Sequence, residues 1–442
     1  MPSLTDIKYL EKVRNKLNAE KPAGIGREGE TEYQEREGEL QRRLNLEVYS
    51  QEGKARILLT GQIGVGKSSE LRNFFRQRVR QKKRAGFWVV CDLEKEEHPE
   101  RCGATGVFLT ILRDCWDAAK NLESKLRYKP GNIRDEFHRI RDEISERLID
   151  WLKGVRSDDD TVMFRFGGTD FPIYFRNKDQ ALALILVKAA QHEAVSYRSE
   201  RFGLVPDRLI ELLNMLLGWL KKVHNGNPPL IIIDHVDKIR DEPSAREVLT
   251  EVVPQWQRIN SSVIMTAPYE YTLGEMRHSV ESYWGPPLML YPLDIPEPDS
   301  NHIPEIYIDI INSCGLSDLI DSDSLKRIAH YSGGIPRTFV QFIIQACLEA
   351  HLAGHESIKI SDAQSVIYAA ERAYQDYGEK ELELLDYISD NKIGLGSAST
   401  LLRSPVGLLV LSPKAGEQQI RIHPLAESLL DRYRAKKGKD RK

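Results

Sequence analysis

The chain has 442 residues, 41% of them apolar and 29% charged, and a net charge of −3. That length suits two to four domains of roughly 150 residues with room for a sizeable core, and the near-neutral balance gives no global electrostatic case for nucleic acid. No run approaches the roughly 18 apolar residues of a membrane helix, and no apolar leader is apparent. Cys91, Cys102, Cys115, Cys314 and Cys347 lack CxxC spacing, so buried reduced thiols are expected rather than disulfides or a zinc site. The chain reads as cytoplasmic.

Residues 4–19 carry an amphipathic helical pattern in Leu4, Ile7, Leu10, Val13 and Leu17. A helical run over 35–46 completes an N-terminal helical segment, 1–50. Within the next segment, 51–295, Arg56–Thr60 is a short apolar strand, followed by a helix from Lys67 and a second strand over 87–92. Residues 103–228 read as a large helical insertion, broken by a hairpin of strands 161–166 and 171–175 around Gly167-Gly168-Thr169-Asp170. Strand Leu230–Asp234, a helix over 244–259, strand Ser262–Ala267 and a strand over 288–293 follow. Five buried strands alternating with helices predict an α/β fold with a parallel sheet. Residues 292–299 read as a linker, 296–376 as an all-helical lid, and 377–442 as helices around a β-like pair (406–411 and 418–423) with a basic tail. The cations of 76–84 suit a helix C-terminus.

The chemistry concentrates at Gly61-Gln62-Ile63-Gly64-Val65-Gly66-Lys67-Ser68, which fits GxxxxGK[ST]. Glycines let backbone N–H groups turn toward phosphate oxygens, and the helix that follows presents its positive end there. Lys67 reaches the β- and γ-phosphates, the Ser68 hydroxyl ligates Mg²⁺, and Ser69 closes the phosphate-binding set. A strand before the loop and a helix after it are the context that confirms the motif. ATP or ADP with Mg²⁺ is the implied ligand.

Leu230–Asp234 is a buried strand ending in a carboxylate, so Asp234 is the second expected Mg²⁺ ligand. The next residue is His235, where many P-loop ATPases have an acid that orients the attacking water. The nearest acid beyond it, Asp237, is the candidate catalytic base, the alternative being an ion pair or helix N-cap. Thr266, at the end of the strand Ser262–Ala267, is placed to bond a γ-phosphate or the lytic water. Arg258 and Arg277 are positional candidates for an arginine finger acting on a second copy.

The order of P-loop, Asp-terminated strand, Thr266 strand and a helical segment holding Ser332-Gly-Gly-Ile-Pro336-Arg337 resembles AAA+/STAND P-loop ATPases. These include origin-recognition-type, NB-ARC and NACHT proteins. Gly24-Ile-Gly26-Arg27-Glu28 resembles their box upstream of the P-loop, which implies that Arg27 lies near the adenine. The resemblance implies that Pro336 packs on the base and that Arg337 senses phosphate. It also implies a winged-helix C-terminal domain, in which His423 of Ile420-Arg-Ile-His423-Pro-Leu425 stands where a histidine touches the ADP β-phosphate. Pro424 replaces the acid usual there, and an ordinary partly buried histidine is the alternative for His423.

Besides a scaffold that merely binds nucleotide, which His235 keeps open, two functions stay open on these residues. One is an ATP-hydrolysing switch that controls self-assembly or a separate effector, in signalling or defence, with slow turnover if Asp237 takes no part. The other is a DNA-linked ATPase, an origin-recognition-like loader or transposition regulator using the winged helix; the acidic run Glu379, Glu381, Glu383 and Asp386 speaks against that.

Overall fold

The computed structural model describes residues 3–19, 23, 39–50, 53–80, 88–93, 102–125, 131–153, 161–166, 169–174, 206–239, 241–272, 276–294, 303–373, 377–391, 409–412 and 419–440. The sequence pattern around Gly24–Glu28, Arg27 included, lies outside them.

Two helices open the chain, α1 (Ile7–Lys16) and α2 (Glu39–Ser50). Asp6 caps α1, its carboxylate accepting from the Lys8 backbone N–H. Strand β1 (Arg56–Thr60) runs through the P-loop into α3 (Lys67–Arg80), and β2 (Trp88–Asp92) follows. Helices α4 (Ala104–Lys125) and α5 (Gly131–Lys153) lead to the antiparallel pair β3 (Thr161–Phe166) and β4 (Thr169–Tyr174). Phe166 pairs with Thr169 at the closed end of this ladder. Helix α6 (Pro206–Val223) and β5 (Leu230–Asp234) come next.

The helix expected over 244–259 is broken into α7 (Glu242–Arg246), a π turn at Glu247–Glu251, and α8 (Val253–Arg258). The physical reason is Pro254, which has no N–H for the ladder; Val252 N–H bonds back five residues to Glu247 O. Strand β6 (Ser262–Ala267), α9 (Arg277–Trp284) and a two-residue β7 (Leu288–Met289) complete the α/β part. The last strand is thus shorter than the run 288–293.

The sheet is parallel throughout, in the order β2-β5-β6-β1-β7. The inner strands β5, β6 and β1 are apolar through their middles because both faces are covered. Leu58, Val89, Cys91, Ile231, Ile233, Val263 and Met265 pack on one side with α4, α6 and the α8–α9 segment. Ile57, Leu59, Leu230, Ile232 and Ile264 pack on the other with α3 and Leu44 of α2. The ends of the insertion 103–228 are therefore covering helices of the sheet itself. The half-buried Arg56 guanidinium ties the start of β1 to the turn before β6, donating to the carbonyls of Trp256 (2.9 Å), Ile259 (2.7 Å) and Ser261 (2.6 Å).

A second core gathers the lid helices α10 (Glu305–Cys314), α11 (Ser322–Tyr331), α12 (Pro336–Leu352) and α13 (Ile360–Ala373). It also takes in Leu4, Leu10, Val13 and Leu17 of the N-terminal segment. Amphipathic α1 thus serves the lid while α2 serves the sheet, so the segment 1–50 divides between the two cores. The C-terminal helices α14 (Glu379–Asn391) and α15 (Pro424–Asp440), with the antiparallel pair β8 (Leu409–Ser412) and β9 (Gln419–Ile422), join the same core. All five cysteines are buried and unbridged, and no described helix is long and apolar enough to cross a membrane.

Candidate functional site

The carboxyl ends of β1, β5, β2 and β6 converge on the P-loop, the edge where open α/β sheets bind ligands. The cradle itself is shaped by its glycines. Gly64 has φ +87, and a Cβ there would stand 2.9 Å from Ile335 Cγ2 and 3.0 Å from Arg337 Cβ. Glycine is required on both counts, left-handed backbone and close approach of the lid. Val65 is buried under the loop while Ile63 is exposed at its tip.

Lys67, almost fully buried, forms an ion pair with Asp237 Oδ2 at 2.8 Å. It also donates to the carbonyls of Gly61 (2.7 Å) and Gln62 (3.1 Å). Burial opposes charge on Asp237, but the Lys67 ammonium outweighs it and holds the carboxyl below the usual range. Thr266 Oγ1 donates to Asp237 Oδ1 at 3.4 Å and accepts from the Val236 backbone N–H at 3.2 Å. Asp237 sits in a one-turn 3₁₀ segment, Val236–Lys238, that carries it back over the sheet edge.

The expected metal ligands meet. Ser68 Oγ donates to Asp234 Oδ1 at 3.0 Å. Burial raises the Asp234 carboxyl above its ordinary pKa, with His235 opposing and Asp237 adding to the rise. A buried carboxylate in that position is served by a cation, and two hard oxygens at this spacing are the donor chemistry Mg²⁺ takes. The residues fit the ion.

His235 is the feature the sequence left without a role. Its backbone is left-handed at φ 67, a conformation costing an L-residue about 1 kcal/mol or more. The turn aims the buried ring so that Nδ1 meets Asp92 Oδ1 at 2.5 Å while Nε2 faces Ser68 Oγ at 3.5 Å. Burial disfavours the imidazolium, yet Asp92 and Asp234 outweigh it, so the pKa is raised. Asp92 was not singled out from sequence. A signal existed: β2 and β5 both end on Asp, and the parallel register places Asp92 beside Asp234.

The lid and C-terminal segment both touch the loop. Arg337 N–H donates to Gly64 O at 3.3 Å, and Pro336 begins α12 at its first turn. The Gln62 carboxamide, an expected phosphate-loop group, donates through Nε2 to Leu409 O of β8 at 2.5 Å. Ser69 Oγ accepts from the Ala23 N–H at 2.8 Å, fixing the chain just before the segment that contains Arg27.

His423 is fully buried against the lid. Its Nδ1 accepts from Leu425 N–H (3.3 Å), the Ser332 backbone also bonds the ring, and a Cβ on Gly333 (φ +65) would collide with Nε2. Burial, reinforced by nearby His330, pushes its pKa down to about 4. Its described contacts are those of a packed neutral histidine. Arg258 and Arg277 are about half exposed and pair with Asp207 and Glu281, respectively.

Neither a protein-family profile nor a curated protein sequence matches the chain. Among solved structures, the chain is similar to Cdc6p from Pyrobaculum aerophilum, with 13% identity over 90% of this chain and 93% of that one and a TM-score of 0.38. It is similar to a Walker-type ATPase of Pyrococcus abyssi at 11% identity, 97% and 99% coverage and a TM-score of 0.43. The third is the Aeropyrum pernix ORC2 protein, at 13% identity, 91% and 94% coverage and a TM-score of 0.42.

Proposed function

We propose that the chain binds Mg²⁺·ATP at Gly61–Ser69, hydrolyses it, and acts as a nucleotide-controlled switch. The observation that carries this reading is the convergence of three parts of the chain on one loop. Lys67 is held by Asp237, Ser68 by Asp234, and the loop backbone and Gln62 by the lid and β8.

In this reading the N–H groups of the loop and the start of α3 receive the phosphates. Phosphate oxygens compete with Asp237 for the Lys67 ammonium, so nucleotide entry loosens that pair. Asp237, ionised at neutral pH and steadied by Thr266, then accepts a hydrogen bond from the attacking water. A carboxylate with a lowered pKa is a weak base, so orientation of water is its larger contribution. Ser68 and Asp234 hold Mg²⁺, which when bound offsets the charge on the β- and γ-oxygens.

The switch follows from geometry at Gly64 and Gln62. Any shift of the loop on phosphate binding moves the surface on which Ile335, Arg337 and Leu409 rest. A ligand biases such a contact only by its differential affinity for the two arrangements, and the ATP and ADP states differ in the group nearest Lys67. The controlled event is self-assembly or engagement of a separate effector.

The DNA-linked reading draws on α15, where Arg432 and Lys436 are exposed. Arg434 and Lys437 of the same helix are drawn to Asp386 (2.6 Å) and Glu383 (3.5 Å) of acidic α14, which reduces the cationic face. Steep salt dependence of duplex binding is its test.

The switch is tested by steady-state ATP turnover of the full chain beside Lys67→Ala and Asp237→Ala, with light scattering in ADP and in ATP. Turnover lost in both variants with a nucleotide-dependent mass change supports it. Binding without turnover or mass change sinks it as an autonomous device.

A further inference from the structure

We propose that His235 is a direct ligand of the divalent cation through Nε2, and that the nucleotide-loaded site therefore takes Mn²⁺ in preference to Mg²⁺. The inference rests on the nucleotide-binding reading above.

Nδ1 lies 2.5 Å from Asp92 Oδ1, so the carboxylate accepts the Nδ1 proton and fixes the ring's orientation. A carboxylate behind a histidine is the arrangement that presents Nε2 to a metal and raises its donor strength. Nε2 in turn lies 3.5 Å from Ser68 Oγ and 3.9 Å from Asp234 Oδ2. Neighbouring donors on an octahedral ion with bonds of about 2.1 Å stand about 3 Å apart. Small side-chain rotations therefore bring Nε2, Ser68 Oγ and Asp234 onto one ion.

The ring is held for this position rather than free to choose it. His235 is buried, its left-handed backbone fixes where the side chain leaves the chain, and its N–H donates to Asp234 Oδ1 at 2.9 Å. A purely structural Asp92–His235 pair would place no demand on the far nitrogen. The Ser68 hydroxyl proton is given to Asp234, so Ser68 Oγ turns a lone pair toward Nε2, where either a proton or a cation can meet it. A divalent ion competes with any proton for the Nε2 lone pair.

Donor chemistry sets the preference. Mg²⁺ favours oxygen ligands and keeps its waters, whereas imidazole nitrogen suits first-row transition ions. Among the described residues no group of three or more His, Cys, Asp or Glu is placed to hold a metal ion; with only His235, Asp234 and Ser68 offered here, the phosphates of a bound nucleotide would have to complete the shell.

The experiment uses the full chain with MnCl₂ and ADP. Pulsed electron paramagnetic resonance reads nitrogen coupling to Mn²⁺, and selective ¹⁵N-histidine labelling identifies its source without any substitution. The expected result is a directly bound imidazole nitrogen whose signal changes isotope on labelling. In parallel, Mn²⁺ and Mg²⁺ affinities of the ADP complex are compared. His235→Ala should weaken Mn²⁺ about tenfold or more and abolish the coupling, with Mg²⁺ affected less; Asp92→Asn should weaken Mn²⁺ by about tenfold. ADP bound with Mn²⁺ but without histidine nitrogen coupling overturns the inference and leaves the nucleotide reading standing. No ADP binding with either ion overturns both.

Discussion

Replacing Asp237 with Asn separates the structural and chemical roles of the Lys67 pair, because it removes the charge and keeps the shape. Breaking a buried ion pair from one side costs about 3–5 kcal/mol. Here the cost is smaller, since Lys67 keeps the Gly61 and Gln62 carbonyls at 2.7 and 3.1 Å and the amide oxygen can still accept. About 2 kcal/mol is expected, which for a domain of this size lowers Tm by about 4–8 °C without nucleotide. The same change removes a competitor for the ammonium that phosphate needs. ADP affinity should therefore rise, by about five- to thirtyfold if 1–2 kcal/mol of the pairing is lost on binding. Turnover should fall by about 10²-fold or more if Asp237 directs the water. Differential scanning fluorimetry, calorimetric ADP titration and phosphate release read the three effects. Unchanged ADP affinity would refute the competition between phosphate and Asp237 for Lys67, and wild-type turnover would remove Asp237 from the chemistry.

Other expectations follow from particular contacts. His423, with its pKa pushed down to about 4 from 6.5, binds its proton more readily unfolded than folded. Its contribution is complete above pH 6.5 and is lost as pH falls toward 4, amounting to about 3 kcal/mol at the acid end. Denaturation at pH 7.5 and 5 should show this slope in the wild type and a smaller one in His423→Gln; equal slopes would contradict it. Arg56→Ala strands the Trp256, Ile259 and Ser261 carbonyls and should destabilise by about 3 kcal/mol, whereas a loss under about 0.5 kcal/mol in urea unfolding would show that water replaces it. Gly64→Ala drives a methyl into Ile335 and Arg337; limited proteolysis should find the lid more easily cleaved, and unaltered cleavage would argue against that contact holding the lid.

The parts of this fold that sequence revealed are those whose signals are local. The β1–loop–α3 order and the buried run ending at Asp234 each rest on contiguous sequence. Thr266 lies near the end of its strand as its sequence position suggests, whereas its bond to Asp237 depends on the fold. What escaped depends on pairing between distant strands. Asp92 and His235 are 143 positions apart, and only the parallel register of β2 with β5 joins them. Likewise, amphipathic α1 announces an apolar face without naming its partner, and that face packs in the lid core rather than on the sheet. Gln62 looked like a phosphate-loop residue, yet its side chain is used by β8, 347 positions away.

The central claim is that this loop binds Mg²⁺-nucleotide through Lys67, and equilibrium titration of a fluorescent ADP analogue into wild type and Lys67→Ala tests it most directly. Saturable Mg²⁺-dependent binding to the wild type, weakened about tenfold or more in Lys67→Ala (1.4 kcal/mol, the least expected for a lost charge-assisted contact), is the predicted result. Equal affinity in the two proteins, or no binding by a folded wild type, would contradict the account.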